Sequence, residues 1–195
     1  MTVIVALKDE ENKKIYLGAD RQGTSDDVSF NDFGCKLLKV EIPRSDNTID
    51  SMYVAFSGSS FLHSYMLNVF QAPIFNVDNN FIEYLSKDFF KYLRTELLND
   101  NMIRITDNVC DSECGLIIVH DSEIYDVYSE FSIVESPREY AVNGRGYKFA
   151  LSVIENNLFF HKDMDYKQIV EEALYTTGRL SIYCNTDYDV LTIDY

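Results

Sequence analysis

Met1-Thr2-Val3-Ile4-Val5-Ala6-Leu7-Lys8-Asp9-Glu10-Glu11-Asn12-Lys13-Lys14-Ile15-Tyr16-Leu17-Gly18-Ala19-Asp20 is the stretch on which the reading of this chain turns. A two-residue start leads straight into an apolar strand, Val3 to Leu7. The polar turn Asp9 to Lys13 follows, and a second strand, Ile15 to Ala19, ends in Asp20, so the hairpin carries an acid back toward the chain start. Removing Met1 would make Thr2 the N-terminus. A hydroxyl and a free α-amine would then share one residue, and an amine with a reference pKa near ~8 can act as the hydroxyl's own general base. The bland alternative is an ordinary N-terminal hairpin in which Thr2 is a β-former and Asp20 caps a turn.

The composition frames what the rest can be. With 195 residues, 46% hydrophobic and 14% aromatic, residues 1–195 are expected to form one domain with a sizeable core. A net charge of -15 argues against nucleic acid and anionic membrane as partners, since both demand a basic face. The start lacks the basic region of a signal peptide, and no run approaches the length of a membrane span, so a cytoplasmic protein is expected. Cys35, Cys110, Cys114 and Cys184 are unevenly spaced. Cys110 and Cys114 lack a second ligand pair for zinc, and reduced thiols are expected.

Further along, Lys36 to Ile42 and Met52 to Ser57 read as strands joined by the loop Pro43 to Asp50. The period then changes. Phe61, Leu62, Tyr65, Met66, Val69 and Phe70 lie at helical spacing, with Pro73 as the stop, and a second helix is predicted from about Asn80 to Leu98 on Phe81, Leu85, Phe89, Tyr92 and Leu93. Gly115 to Val119 and Glu123 to Tyr128 form a predicted hairpin with His120-Asp121-Ser122 at its turn, followed by a short strand, Tyr140 to Val142. Two more helices are marked by Phe149, Ala150, Val153 and Ile154 and by Ile169, Val170, Ala173 and Leu174, the latter stopped by Gly178. Leu180 to Tyr183 and Val190 to Ile193 close the chain as predicted strands. Strands, two helices, strands, two helices, strands is the order of an α+β, four-layer αββα sandwich: two packed antiparallel sheets between helical layers.

With these pieces in register the chain resembles proteasome β-subunits and, more closely, HslV, the peptidase of a bacterial ATP-dependent protease; both are N-terminal-nucleophile (Ntn) hydrolases. The likeness covers nearly the whole length. It rests on Thr2-Val3-Ile4-Val5-Ala6, on Gly18-Ala19-Asp20-Arg21-Gln22-Gly23-Thr24, on Lys36 sixteen residues beyond Asp20, and on Ala55-Phe56-Ser57-Gly58-Ser59 entering the first helix. Asn143-Gly144-Arg145-Gly146 with Phe149-Ala150, then Ala173 through Gly178 and Ser181-Ile182-Tyr183-Cys184-Asn185, continue it.

The resemblance implies the Ntn-hydrolase fold and a threonine-type endopeptidase that acts on unfolded proteins inside a homo-oligomeric ring, fed by an ATPase or unfoldase ring. It makes Thr2 the nucleophile, its α-amine the base, Lys36 the adjacent cation held by Asp20, and the Gly58 N–H the oxyanion donor. Gly23, Thr24, Ser59 and Ser60 fall on the edges that bind an extended peptide as an added strand, and Phe56 falls on the floor of the specificity pocket. No cofactor is required by this reading. The carbonyls of Gly178, Ser181 and Cys184 match a site for a monovalent cation such as Na+. Two positions depart from the pattern: Arg145 stands where a serine is usual and Arg179 where proteasome β-subunits have aspartate. An inactive ring subunit with an assembly or binding role is the alternative reading.

Overall fold

The computed structural model describes residues 2–25, 28–30, 34–99, 103–106, 109–161 and 163–195. In chain order, β1 (Val3–Asp9) and β2 (Lys14–Asp20) form the first hairpin, β3 (Gly23–Ser25) pairs with β4 (Val28–Phe30), and β5 (Leu37–Pro43) pairs with β6 (Ile49–Gly58). Helix α1 (Ser60–Asn68) follows. Helix α2 (Phe81–Tyr84) runs through a π-helical turn at Leu85–Phe89 into α3 (Phe90–Asn99). Then come β7 (Arg104–Thr106), β8 (Val109–Asp111), β9 (Cys114–His120), β10 (Glu123–Val127), β11 (Ile133–Glu135) and β12 (Tyr140–Gly144), the helices α4 (Tyr147–Phe160) and α5 (Tyr166–Leu180), and finally β13 (Tyr188–Asp194).

Two antiparallel sheets organise these strands, in the orders β12-β1-β2-β13 and β11-β10-β9-β6-β5. Alternation along each strand assigns its residues to two cores, because successive side chains leave opposite faces. Val3, Val5 and Leu7 pack with Ala150, Ile154, Ile169, Val170, Ala173 and Leu174 beneath α4 and α5. Ile4 and Ala6 face the other way and join Ala55, Ile117 and Val119 between the sheets. On the far side Met52, Val54, Phe56, Leu116 and Ile118 meet Leu62, Tyr84, Leu85, Phe89 and Leu93 beneath α1 to α3. Strands covered on both faces have no wet side, so β1 reads as an unbroken apolar run rather than an alternating one. The result is the expected αββα sandwich.

Several expectations need correcting. Leu180 to Tyr183 is not a strand: Leu180 is the last residue of α5, and the segment beyond it is a turn that folds back under the helix. Gly178 does not stop α5 but lies within it. A Cβ there would sit 2.1 Å from the Asn185 carbonyl oxygen, so the glycine admits the returning chain. His120 is the last residue of β9 rather than part of the turn. Its ring is buried, stacked on Phe81 at 3.6 Å, with Nε2 3.0 Å from Asp50 Oδ2. The π turn also went unforeseen. Its extra residue brings Phe89 and Phe90 both into the core and leaves Tyr92 43% exposed, whereas an unbroken α-helical period put Tyr92 inside. Cys35, Cys114 and Cys184 are free thiols. Among the described residues no helix is long and apolar enough to cross a membrane.

Candidate active site

The β1–β2 register pairs Ile4 with Ala19, and so brings the start of β1 beside the end of β2. There Asp20, fully buried, accepts four N–H groups: Val3 N at 3.1 Å and Lys36 Nζ at 3.0 Å on Oδ1, Gln22 N at 3.2 Å and Asn185 N at 3.4 Å on Oδ2. Four donors saturate a carboxylate, which is how an ionised acid is kept in a dry place. Lys36 arrives from the segment entering β5 and is only 6% exposed. Its Nζ donates to Asp20, to the Gln22 carbonyl at 2.6 Å and to the Thr2 hydroxyl. Three acceptors match the three protons of an ammonium. Burial pulls the Lys36 pKa below the ordinary lysine range, and the charge and hydrogen bond of Asp20 pull the other way.

Two glycines with positive φ complete the geometry. Gly58 ends β6 at φ +103, and a Cβ there would lie 2.1 Å from the Glu113 carbonyl oxygen. Gly144 ends β12 at φ +91, and its virtual Cβ would be 2.3 Å from the Thr2 carbonyl oxygen, which also accepts the Gly146 N–H at 3.3 Å. The Gly144-Arg145-Gly146 segment thus wraps the Thr2 main chain. Gly58→Ala is expected to lower the unfolding temperature by roughly 4–10 °C in a melting scan, since the strained φ and the backbone clash together cost about 2–3 kcal/mol. An unchanged melting temperature would contradict the geometry.

Above these residues lies an open cleft of about 1380 Å³. It brings together Thr2, Lys36, Gly58, Gly23, Phe56, Ser59 and Ser60 from the sequence reading. Thr24 follows Gly23 on β3, its backbone paired with Ser29. Arg145 is exposed at the rim of the cleft, its guanidinium 5.8 Å over the Tyr183 ring. Arg179 sits on the exposed last turn of α5, and the cleft wall is built without it. Gly178, Ser181 and Cys184 gather behind the site, where the Cys184 N–H donates to the Ser181 carbonyl at 3.3 Å and burial pushes the Cys184 thiol up to about 12. Met1, whose removal the reading requires, lies outside the described residues.

The cleft also holds residues the sequence reading passed over. His63, on α1, lines the cleft and meets Phe56 edge-on at 5.0 Å. Burial, with help from the Lys36 charge, holds its imidazole pKa low. The i, i+3 spacing from Ser60 was the available signal, since it puts both on one helix face. Asp126 and Asn143 line the cleft as well; Asn143 opens the Asn143-Gly144-Arg145-Gly146 motif quoted above without a role of its own, and nothing in its local sequence marks Asp126.

No family model and no curated protein matches this chain. Solved structures do, over nearly its whole length. BPH from Thiobacillus denitrificans, in complex with epoxomicin, aligns with a TM-score of 0.74 at 14% identity, covering 99% of this chain and 98% of that one. The eukaryotic HslV from Trypanosoma brucei aligns at 0.65 with 18% identity and covers 100% of both. Anbu, an ancestral beta-subunit from Yersinia bercovieri, aligns at 0.64 with 15% identity, covering 98% of this chain and 81% of that one. At such identities the likeness is one of fold: the chain has the proteasome β-like, HslV-type Ntn-hydrolase fold.

Proposed function

We propose that the chain, once Thr2 is its N-terminus, is a threonine-type endopeptidase. One observation carries the reading: a buried lysine donates at once to the Thr2 hydroxyl and to a saturated buried aspartate. A structural ion pair needs no hydroxyl at its head. A nucleophile does, because the adjacent ammonium disfavours protonation of the α-amine and leaves it free to take a proton at neutral pH. In this mechanism the Thr2 hydroxyl passes its proton to its own amine and attacks the peptide carbonyl. The oxyanion is received by the Gly58 N–H, and the amine's proton leaves with the departing amine. Water, deprotonated by the same amine, then cleaves the ester and restores Thr2.

Peptide substrates would lie extended along Gly23-Thr24 on one side and Ser59-Ser60 on the other, held through main-chain bonds that tolerate sequence. Phe56 with His63 against it would make the main specificity pocket shallow. The carbonyls of Gly178, Ser181 and Cys184 are a proposed seat for a monovalent cation such as Na+; the Ser181 carbonyl, which accepts one N–H, keeps a second lone pair for it. Confinement in a homo-oligomeric ring, with an unfoldase to feed it, would suit so indiscriminate a nucleophile. Phe61, Leu67 and Val69 on and beside α1 expose apolar surface for such contacts. A second reading, an inactive ring subunit, draws on Arg145 at the cleft rim where the resemblance expects a serine.

The test is to purify the full chain with Met1 removed, verified by intact mass, and to assay unstructured peptides and epoxomicin. Hydrolysis and covalent labelling of Thr2 are expected only in the Met1-free form. Labelling elsewhere, or neither activity with or without an added unfoldase, would favour the inactive subunit.

A further inference from the structure

The two halves of the proposed chemistry sit on different sheets. Thr2 leads into β1 of the four-stranded sheet, and Gly58 ends β6 of the five-stranded one. The packing between the sheets is apolar, through residues such as Ile4, Ala6, Ala55 and Ile117. Apolar contact is non-directional, so it sets the spacing of two sheets more firmly than their register.

At the cleft end a polar side chain crosses the gap. Asn143, on β12, accepts the Gly144 N–H at 2.6 Å on Oδ1, and the Ser57 hydroxyl is 3.3 Å from the same atom. The Ser57 hydroxyl also lies 3.0 Å from the Gly115 carbonyl, so its proton is shared between sheets. Asn143 Nδ2 donates to Asp126 Oδ1 at 2.8 Å. This orientation of the amide is dictated by its neighbours, since a backbone N–H requires the oxygen and a carboxylate requires the nitrogen. Asp126 is half-buried, and burial pushes its carboxyl upward against the opposing hydrogen bonds of Asn143 and Tyr128. The two residues the amide ties together are the decisive ones. Gly144 is pressed against the Thr2 carbonyl, and Ser57 immediately precedes Gly58.

The geometry points to Asn143 as a positioning residue that, oriented by Asp126, holds the Thr2 strand in register with the Gly58 oxyanion donor across the two sheets. This rests on the peptidase reading above. Substrate strands would bind through Gly23 and Ser59, which Asn143 does not touch, so its loss falls on the chemical step. In the Met1-free full chain, Asn143→Ala is expected to lower kcat by ~10- to 10²-fold, the scale of a misplacement of about 1 Å, with KM within about twofold. Asp126→Ala should act in the same direction. Asp126→Asn should recover most of that loss, because an amide oxygen also accepts the Asn143 N–H. Ser57→Ala removes only the far end of the tie and serves if Asn143→Ala folds poorly; it too should reduce kcat rather than raise KM.

Hydrogen exchange followed by mass spectrometry gives a readout independent of activity: in Asn143→Ala, residues 140–146 and 56–60 should exchange faster while β2 and α5 do not change. An unaltered kcat, a loss confined to KM, or Asp126→Asn no better than Asp126→Ala would overturn the inference. A parent that hydrolyses nothing refutes the peptidase reading by itself. In that case unaltered exchange in both segments refutes the tie, and faster exchange there sustains it.

Discussion

Thr2→Ala is expected to abolish peptide hydrolysis in the Met1-free chain, and Thr2→Ser to retain a measurable fraction of it. Serine keeps both hydroxyl and amine on one residue, whereas alanine keeps only the amine. The hydroxyl's own pKa is far above neutrality, so a base must be adjacent, and the described histidines do not supply one at hydrogen-bond distance. His120 is engaged by Asp50 and Phe81 beneath α2, and His161 is the C-cap that follows α4. His63 is in the cleft, packed edge-on to Phe56. Steady-state assays on unstructured peptides check the result. The protein should stay folded: Thr2→Ala removes one acceptor from Lys36, a loss of about 1 kcal/mol, visible as a small fall in melting temperature. Parental hydrolysis by a folded Thr2→Ala would refute the assignment.

The second large effect is at Lys36. Lys36→Ala should reduce kcat by ~10²-fold or more at neutral pH, the range of a lost acid–base contribution. The sign of its pH dependence follows from charge. An ammonium against the amine lowers the amine's pKa, so without it the ascending limb of the pH–rate profile moves to higher pH and part of the loss is recovered in alkaline buffer. Arg145→Ser should shift the limb in the same direction but less, because Arg145 is exposed and its field is screened. A profile that falls uniformly, with no displacement, would mean Lys36 only positions the hydroxyl. Stability carries a separate signature. Burial depresses the folded-state pKa of Lys36, so this group favours the fold above its unfolded pKa, and that contribution is lost as pH falls through the depressed value. Between those two values the parent should gain stability relative to Lys36→Ala as pH rises, readable from paired denaturant titrations.

The fold was legible because its central strands, β1, β2 and β9, are buried on both faces. Val3 to Leu7 and Gly115 to Val119 announce themselves as uninterrupted apolar runs, and the helices that cover them carry one-face periodicity. What escaped depends on contacts no local pattern encodes. The π turn at Leu85–Phe89 is decided by the core it serves, and Leu180 to Tyr183 has the β-propensity of a strand, but α5 claims its first residue and the rest turns back to bring Asn185 against Gly178. The site divides in the same way. Thr2, Asp20, Lys36 and Gly58 stand at spacings that a family likeness makes readable, and the structure brings all four to one place. Asn143 and Asp126 meet across two sheets through a single hydrogen bond, and sequence offers no periodicity that joins them.

Asp20 draws its four donors from segments that leave the ribosome at very different times. Val3, Gln22 and Lys36 lie 17, 2 and 16 residues from Asp20, but Asn185 is 165 residues beyond it, and β13 pairs with β2. The first hairpin therefore waits for β13 as its edge partner, and the acid that holds the lysine has an incomplete set of partners until residues 185–194 are in place. Long-range closure of this kind is slow. The lysine and its acid are thus completed by the same long-range closure that seals the β2 edge, and loss of the β2–β13 pairing is felt at the site.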